Sequence, residues 1–254
     1  MNTRPLAIFT DLDGTLLDHE TYDWHPAAAC LARLRQAGIP LVLASSKTAA
    51  EIAPLRAALG FAHCPAIVEN GAGILPPGRD RPGESRSHPR LRATLATLPP
   101  WFQGFTDWGA QAIAHRTGLA PEDAARAAQR DFSEPGLYTG PEAQRAAFLE
   151  KLADAGIQVA QGGRFLTPSF GGSKAGRMAE LAARMPGPPT TIALGDAPND
   201  AAMLRAADYA VIVPNPAHDG PGLAPDGTRI RLAPAPGPAG WAAALDALLA
   251  ELTD

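Results

Sequence analysis

The chain has 254 residues, a formal net charge of −4 and a pI near 5.9, and this length is enough to bury one large core or two smaller ones. It contains no basic run and no stretch of the roughly 18 consecutive apolar residues that a membrane span requires. These features argue against nucleic acid and membranes as partners and favour a small-molecule ligand. The two cysteines lack disulfide or metal-site spacing, and the first residues lead into an apolar run instead of a signal peptide, so we expect a cytoplasmic location.

The first third of the chain alternates predicted strands and predicted helices. Apolar patterns predict strands at 6–10, 39–44 and 66–68, and helices at 27–37 and 48–58. Thr48, followed three residues later by Glu51, forms the capping-box pattern that would begin the second helix. This βαβαβ order predicts a parallel sheet covered by helices.

The middle of the chain differs in composition from both ends. Residues 76–89 are rich in Pro, Gly and Arg, which predicts a linker. Beyond it, helices are predicted near 110–117, 121–130 and 142–155, and hairpin strands at 157–161 and 164–167 around Gly162-Gly163. We therefore expect a separate α+β module inserted at 84–170.

The strand and helix alternation resumes after Gly171-Gly172. Helices are predicted at 175–185 and from 201 onward, and strands at 191–194 and 210–213. A Pro/Gly-rich stretch at 214–240, with one strand at 230–232, leads to a final helix at 241–252. We expect this C-terminal part to serve packing more than catalysis, in a core made of 1–83 and 171–254.

Two carboxylates, Asp11 and Asp13, follow the first predicted strand directly. In an open α/β sheet, ligands bind beyond the carboxyl ends of the strands. At that position Asp11 could attack a phosphorus atom and form an aspartyl-phosphate. Asp13 could deliver a proton to the departing alkoxide and later take one from the attacking water. The pair therefore suits hydrolysis of a phosphate ester.

Two further loops offer groups that bind anions. Ser45, Ser46 and Lys47 lie between a strand and a capped helix, where free N–H groups favour an anion, although the serines could simply begin the helix. Lys174 follows two glycines and could neutralise a phosphoryl group, although a lysine at a helix start is often only a solvated charge. Only three of the 22 basic residues are lysines, which indicates a need for a compact point charge at these two positions.

A fourth loop follows the strand predicted at 191–194 and carries Asp196 and Asp200 on either side of a Pro-Asn turn. Hard carboxylate oxygens are the ligands that Mg²⁺ selects. The alternative is a helix N-cap followed by a turn. Because the four polar loops follow predicted strands, we expect them to converge on one site.

Taken in order, these motifs resemble those of the haloacid dehalogenase superfamily of phosphatases: Asp-Leu-Asp-Gly-Thr at 11–15, Ser45, Lys174 and Gly-Asp-x-x-Asn-Asp at 195–200. The resemblance implies an α/β fold with a doubly wound, Rossmann-like parallel sheet and an inserted cap of the C2 type that covers the site and selects the substrate. It also implies Asp11 as nucleophile, Asp13 as acid and base, and Ser45 and Lys174 as phosphate ligands.

The same resemblance implies a Mg²⁺ cofactor. The ion would be held by Asp11, by the backbone carbonyl of Asp13 and by Asp196. Asp200 would bind the ion directly or support its ligands, and Asn199 would orient the lysine or a ligand.

Loop sequences bring a closer resemblance, to mannosyl-3-phosphoglycerate phosphatases. The matching segments are Thr-Asp-Leu-Asp-Gly-Thr-Leu-Leu-Asp-His-Glu-Thr-Tyr (10–22), Ser-Ser-Lys-Thr (45–48), Glu-Asn-Gly (69–71), Gln-Arg-Asp-Phe-Ser-Glu-Pro (129–135) and Gly-Gly-Arg-Phe (162–165). Ser173-Lys174-Ala175 departs from the Asp-Lys-Gly that is usual there. The resemblance implies hydrolysis of mannosyl- or glucosyl-3-phosphoglycerate to the glycosylglycerate and phosphate.

Such a substrate has a carboxylate, a phosphate and sugar hydroxyls. Arginine suits the carboxylate, which makes Arg130 and Arg164 candidates, although each could be an exposed helix end or turn residue. Glu69 and Asn70 could bind hydroxyls or hold the cap. The remaining candidates for substrate binding are Ser46, Lys47 and Asn199.

Two other functions remain open at this stage. One is a related hydrolase of simple sugar phosphates. The other is a receiver-like phosphoacceptor module, which also combines acidic residues, a lysine and Mg²⁺ but needs no lid. A nucleotide-binding dehydrogenase is disfavoured because no G-x-G-x-x-G follows the first strand.

Overall fold

The computed structural model describes residues 4–162, 164–217 and 219–253. The strands in these ranges are β1 (Leu6–Thr10), β2 (Leu41–Ala44), β3 (Ala66–Val68), β4 (Gly73–Leu75), β5 (Phe102–Gly104), β6 (Gly136–Tyr138), β7 (Gln158–Gly162), β8 (Phe165–Ser169), β9 (Thr190–Gly195), β10 (Tyr209–Ile212) and β11 (Ile230–Leu232). The α-helices are α1 (Ala28–Gln36), α2 (Ala49–Ala58), α3 (Ser87–Leu95), α4 (Phe105–Thr117), α5 (Pro121–Ala127), α6 (Arg145–Asp154), α7 (Lys174–Ala183), α8 (Ala201–Ala206) and α9 (Gly237–Thr253).

Seven strands form the core sheet in the order β11-β10-β9-β1-β2-β3-β4. Every neighbouring pair is parallel except β3 and β4, which are antiparallel. The central strand β1 is an apolar run because both of its faces are covered. Ile8 packs into the hydrophobic cluster on one side of the sheet, whereas Ala7 and Phe9 pack into the cluster on the other. The predicted parallel α/β core is confirmed.

A second, antiparallel sheet has the order β5-β6-β8-β7 and is formed by residues between the two halves of the core. Its own small clusters are built around Leu91 and Phe148 and around Phe105 and Ile113. The predicted separate cap sheet is therefore confirmed, while the boundaries at 83/84 and 170/171 stay a prediction.

Several elements differ from the sequence prediction. The strands β4, β5 and β6 and the helix α3 were not predicted, and α3 begins inside the segment assigned to a linker. α4 is broken at Gly109, whose φ of +70° is not helical, so the helix predicted near 110–117 corresponds to its second part. The first turn, from Phe105, was not predicted; there the Asp107 carboxylate accepts a hydrogen bond from the Gly104 N–H and caps the helix. The hairpin turn predicted at Gly162-Gly163 includes residue 163, which lies outside the described residues.

Other expectations hold. Thr48 and Glu51 form the expected capping box at the start of α2, and β11 coincides with the strand expected at 230–232. The final helix packs against the core through Trp241, whose buried indole donates a hydrogen bond to Thr10 Oγ1 at 2.9 Å. No helix in the described ranges is long and apolar enough to cross a membrane. The cytoplasmic location stays a prediction.

Candidate active site

The first carboxylate pair lies at the centre of the core sheet, just beyond the end of β1. The Asp11 N–H donates to the Leu194 carbonyl at the end of β9, which ties this loop to the neighbouring strand. Gly14 has φ +79°, and a Cβ at this position would lie 2.2 Å from Asn215 Nδ2 and 2.8 Å from Asp196 Oδ2. The loop can therefore approach the acidic groups of the other strands only because it lacks a side chain at Gly14.

Lys174 is the first residue of α7, which is capped by the Ser173 hydroxyl accepting from the Gly176 N–H. Its ammonium lies 2.6 Å from Asp11 Oδ1 and 2.7 Å from Asp200 Oδ1 and is almost completely buried. Burial lowers the pKa of Lys174, but the charges of Asp11 and Asp200 outweigh it, and the net shift is upward. The lysine is therefore a fixed positive charge and not a solvated one.

The surroundings of Asp11 favour its protonated form. Burial and the charge of Asp200 raise the pKa of the Asp11 carboxyl, Lys174 lowers it and Asp196 raises it, so that the net pKa is well above the ordinary value. One ammonium group does not balance three buried carboxylates. Further positive charge next to Asp11 would lower this pKa again.

The three buried carboxylates of Asp11, Asp196 and Asp200 have oxygens within 4.8 Å of one another. Such a set of hard oxygen donors fits a small divalent cation. Asp196 Oδ1 accepts from Thr15 Oγ1 at 2.6 Å, and its Oδ2 accepts from Asn215 Nδ2 at 2.7 Å. These two donors set the orientation of the Asp196 carboxylate.

Asp200, like Asp196, has both oxygens engaged, but it differs from Asp196 because one of them accepts from the Lys174 ammonium. Oδ1 accepts from Lys174, and Oδ2 accepts from the backbone N–H groups of Asp196 and Ala197. Of the two roles expected for Asp200, its contacts favour support of the other groups over direct metal binding.

Asp13 faces a cavity and pairs with Lys47, whose ammonium lies 3.0 Å from Asp13 Oδ2. The other oxygen, Oδ1, is buried and has no hydrogen-bond partner among the described residues. Burial lowers the pKa of Lys47, but the charges of Asp13 and Glu51 together raise it by more, so the net shift is upward. The same ammonium lies over the Tyr22 ring, 5.1 Å from the ring centre.

Ser45 is buried at the end of β2, and its hydroxyl oxygen accepts from the Lys47 N–H at 3.2 Å. The structure thus brings side chains from four separate loops to one edge of the sheet, and each of these loops carries a residue that the sequence singled out: Asp11, Asp13, Ser45, Lys174, Asp196 and Asp200.

Comparison with known proteins agrees with this arrangement. Residues 8–86 match the family model described as haloacid dehalogenase-like hydrolase. The match covers the first part of the chain, from β1 to the segment just before α3. Its fold is similar over nearly the whole length to solved structures of low sequence identity.

Three of these structures show the extent of the similarity. A protein from Thermoplasma acidophilum has a TM-score of 0.67 at 14% identity, over 98% of this chain and 99% of that one. The sucrose-phosphatase of Synechocystis, solved with sucrose and phosphate, has a TM-score of 0.63 at 17% identity, over 98% of both chains. A phosphatase of the haloalkanoate superfamily from Bacteroides thetaiotaomicron has a TM-score of 0.63 at 18% identity, over 97% of this chain and 96% of that one. At such identities the likeness concerns the fold.

Glu69 connects the core to the cap. Its buried carboxylate accepts from the N–H groups of Asp131, Phe132 and Ser133 and from the Ser133 hydroxyl, at 2.7 to 3.2 Å. Arg130 Nε lies 3.3 Å from the same carboxylate. Of the two roles expected for Glu69, these contacts favour holding the cap. Binding of substrate hydroxyls by Glu69 stays a prediction.

The other candidates for substrate binding differ in position. Arg130 lines the cavity beside Ser46 and Lys47, although its guanidinium is also bonded to the Ser133 hydroxyl. Arg164 is exposed and stacks on Phe165, whose ring lines the cavity.

Two asparagines from different loops pair with each other. Asn199 donates to Asn70 Oδ1 at 3.1 Å. The Lys174 ammonium donates to Asp11 and Asp200, which orient it. The expected role of Asn199 in orienting the lysine or a ligand stays a prediction.

The cavity lies between core and cap and has a volume of about 370 Å³. Its core side carries the charged groups of Asp13 and Lys47, and its cap side carries Arg130 together with the apolar rings of Phe105 and Phe165. The cavity wall is thus charged on the side of the core and both charged and aromatic on the side of the cap.

Three residues near the site were missed by the sequence interpretation: Thr15, Tyr22 and Asn215. Asn215 lies in the Pro/Gly-rich stretch that was expected to serve packing, and this expectation is wrong at that position. The signal was present, since Asn215 follows β10 in the same way that the other polar loops follow their strands. Tyr22 had no comparable signal because it lies twelve residues after β1.

Proposed function

We propose that the protein is a Mg²⁺-dependent phosphomonoesterase that acts through a phosphorylated Asp11. The observation that carries the proposal is the position of the Lys174 ammonium, 2.6 Å from Asp11 and 2.7 Å from Asp200 in a buried acidic site. This arrangement holds a carboxylate nucleophile and a positive charge at the same point.

In the first step, the Asp11 carboxylate attacks the phosphorus atom, and the ester bond to the leaving oxygen breaks. Asp13 gives a proton to that oxygen. In the second step, water attacks the aspartyl-phosphate while Asp13 takes its proton, and phosphate leaves. Lys174 and Ser45 hold the phosphoryl oxygens during both steps.

The donor set fits Mg²⁺, which selects hard oxygen ligands. Asp11 and Asp196 would hold the ion with the backbone carbonyl of Asp13, while Asp200 supports the site through Lys174. When bound, the ion supplies positive charge that offsets the negative charge of the phosphoryl group and of the carboxylates.

For the substrate, we propose a glycosyl-3-phosphoglycerate, with either mannose or glucose as the sugar. The proposal is supported by the loop sequences described above and by the two cations, Lys47 and Arg130, that line the cavity next to Asp13. A carboxylate in the leaving group is a suitable partner for such cations.

A simple sugar phosphate is the alternative substrate. It is favoured by the similarity in fold to the sucrose-phosphatase of Synechocystis. A receiver-like switch receives no such support, because a phosphoacceptor needs no second sheet above its site.

Phosphate release with Mg²⁺ over a panel of esters tests the function, with Asp11→Asn as the inactive control. We expect a higher kcat/KM for mannosyl- or glucosyl-3-phosphoglycerate than for hexose phosphates. The reverse preference would overturn the substrate, retained activity in Asp11→Asn would overturn the mechanism, and a long-lived phospho-Asp11 without turnover would favour the switch.

A further inference from the structure

Tyr22 combines three properties that are unusual for an aromatic residue. Its φ is +57°, a left-handed backbone conformation that bulky residues rarely adopt. Its side chain is 48% exposed, although it is large and mostly apolar. It also lines the cavity between core and cap. Strained backbone of this kind persists where the surrounding structure imposes it, and it clusters at functional sites.

The loop around Tyr22 imposes this conformation. The Asp18 carboxylate accepts from the N–H groups of Glu20 and Thr21 and from the Thr21 hydroxyl. The backbone carbonyl of Asp18 accepts from the Tyr22 N–H, and the backbone N–H of Asp18 donates to the Asp23 carbonyl. The loop is therefore a closed turn that presents the Tyr22 ring at a set position.

The ring faces the Lys47 ammonium, with 5.1 Å between Nζ and the ring centre. Asp13 Oδ2 lies 3.0 Å from the same nitrogen. The ammonium thus contacts both an aromatic ring and the carboxylate to which the proposed function assigns proton transfer to the leaving group. A lysine ammonium has three donors, so the pairing with Asp13 leaves donors for a ligand in the cavity.

We propose that Tyr22 is a positioning residue that holds Lys47 beside the leaving group, and that the pair gives the site a preference for phosphate monoesters whose leaving group carries a carboxylate. The inference rests on the proposed function, since it concerns the leaving-group side of that site. It gives a role to Tyr22, which lies outside the acidic cluster and had no role assigned from the sequence.

The preference can be measured as binding, without turnover. In an Asp11→Asn background with Mg²⁺, the dissociation constants of 3-phosphoglycerate and of glycerol 3-phosphate are compared by calorimetry. The two ligands share the phosphate and differ in one carboxylate. We expect tighter binding of 3-phosphoglycerate, and loss of that preference in Lys47→Met.

Two substitutions at Tyr22 separate the ring from the backbone. Tyr22→Phe keeps the ring and should keep the preference. Tyr22→Asn removes the ring but tolerates positive φ, and it should reduce the preference roughly two- to fivefold, the size of an exposed cation–π contact. Its melting temperature should not fall, because asparagine adopts this conformation readily.

The inference would be overturned if Tyr22→Asn preferred 3-phosphoglycerate over glycerol 3-phosphate as strongly as the Asp11→Asn protein does. Loss of this preference in Tyr22→Phe would also overturn it, and so would an Asp11→Asn protein that shows no preference at all. The proposed function is judged separately, by phosphate release from the unsubstituted protein. Either proposal can therefore fail while the other stands.

Discussion

Buried carboxylates at two places in this protein differ in how their negative charge is balanced. At the end of β1, the ammonium of Lys174 contacts the carboxylates of Asp11 and Asp200. The pKa of Asp11 there is raised well above its ordinary value. At the junction between core and cap, the carboxylate of Glu69 accepts four hydrogen bonds and faces Arg130.

The difference distinguishes a reaction site from a structural joint. Unpaired buried charge costs free energy, so a cluster that keeps excess negative charge is suited to a cation and a reacting group. A carboxylate that accepts several hydrogen bonds from one distant segment holds two parts of the chain together. Substitutions at the two places should therefore affect different properties, and the following predictions test this.

The largest effect is expected at Asp11. Asp11→Asn removes the attacking oxygen's charge, so kcat should fall by at least about a thousandfold, while the fold is retained. Phosphate release measures the fall in kcat, and circular dichroism checks that the fold is retained. Asp154→Asn, at an exposed position of α6, is the matched control and should leave kcat unchanged. Comparable losses in both variants would contradict the assignment.

Lys174→Met should lower kcat by about a hundredfold or more, because the phosphoryl group loses its fixed positive charge. Without metal, it should also destabilise the fold by about 3–5 kcal/mol, since two buried carboxylates lose their partner. Urea unfolding with and without Mg²⁺ measures the change, and Mg²⁺ should recover part of it. The exposed Lys151→Met serves as control; a stable, active Lys174→Met protein would show that the charge is dispensable.

Asn215→Ala should weaken Mg²⁺ binding about 10- to 100-fold, because it removes the donor that orients Asp196. The measurement is the Mg²⁺ concentration that gives half-maximal activity, together with metal binding by calorimetry. At saturating Mg²⁺ most of kcat should return. An unchanged Mg²⁺ requirement would mean that Asp196 is held by its other contacts.

Glu69→Gln should have the smallest effect on kcat and act mainly on stability. The amide keeps one acceptor oxygen but loses the charge, so the free energy of unfolding should fall by about 2 kcal/mol. Faster hydrogen exchange should appear at residues 131–133. Glu122→Gln, on the exposed side of α5, is the control. A hundredfold loss of kcat with normal stability would place Glu69 in the reaction instead.

The comparison also shows where reasoning from sequence succeeds. Asp11, Ser45 and Asp196 could be found because each is a polar residue directly after an apolar strand, and parallel strands bring their carboxyl ends to one edge. The same rule, applied to β10, would have found Asn215. The contacts of Glu69 with the cap could not be predicted from this rule, because its hydrogen-bond donors lie more than sixty residues away in the sequence.

Except for β4, the sequence by itself determined the order of strands and helices in the core, the insertion of a second module and the residues at the strand ends, because apolar periodicity and local turn chemistry act over a few residues. Only the tertiary structure decided which carboxylates share Lys174, that Glu69 holds the cap, and that Tyr22 faces Lys47. These contacts join distant segments, and their energies depend on burial and on distances that no local pattern contains.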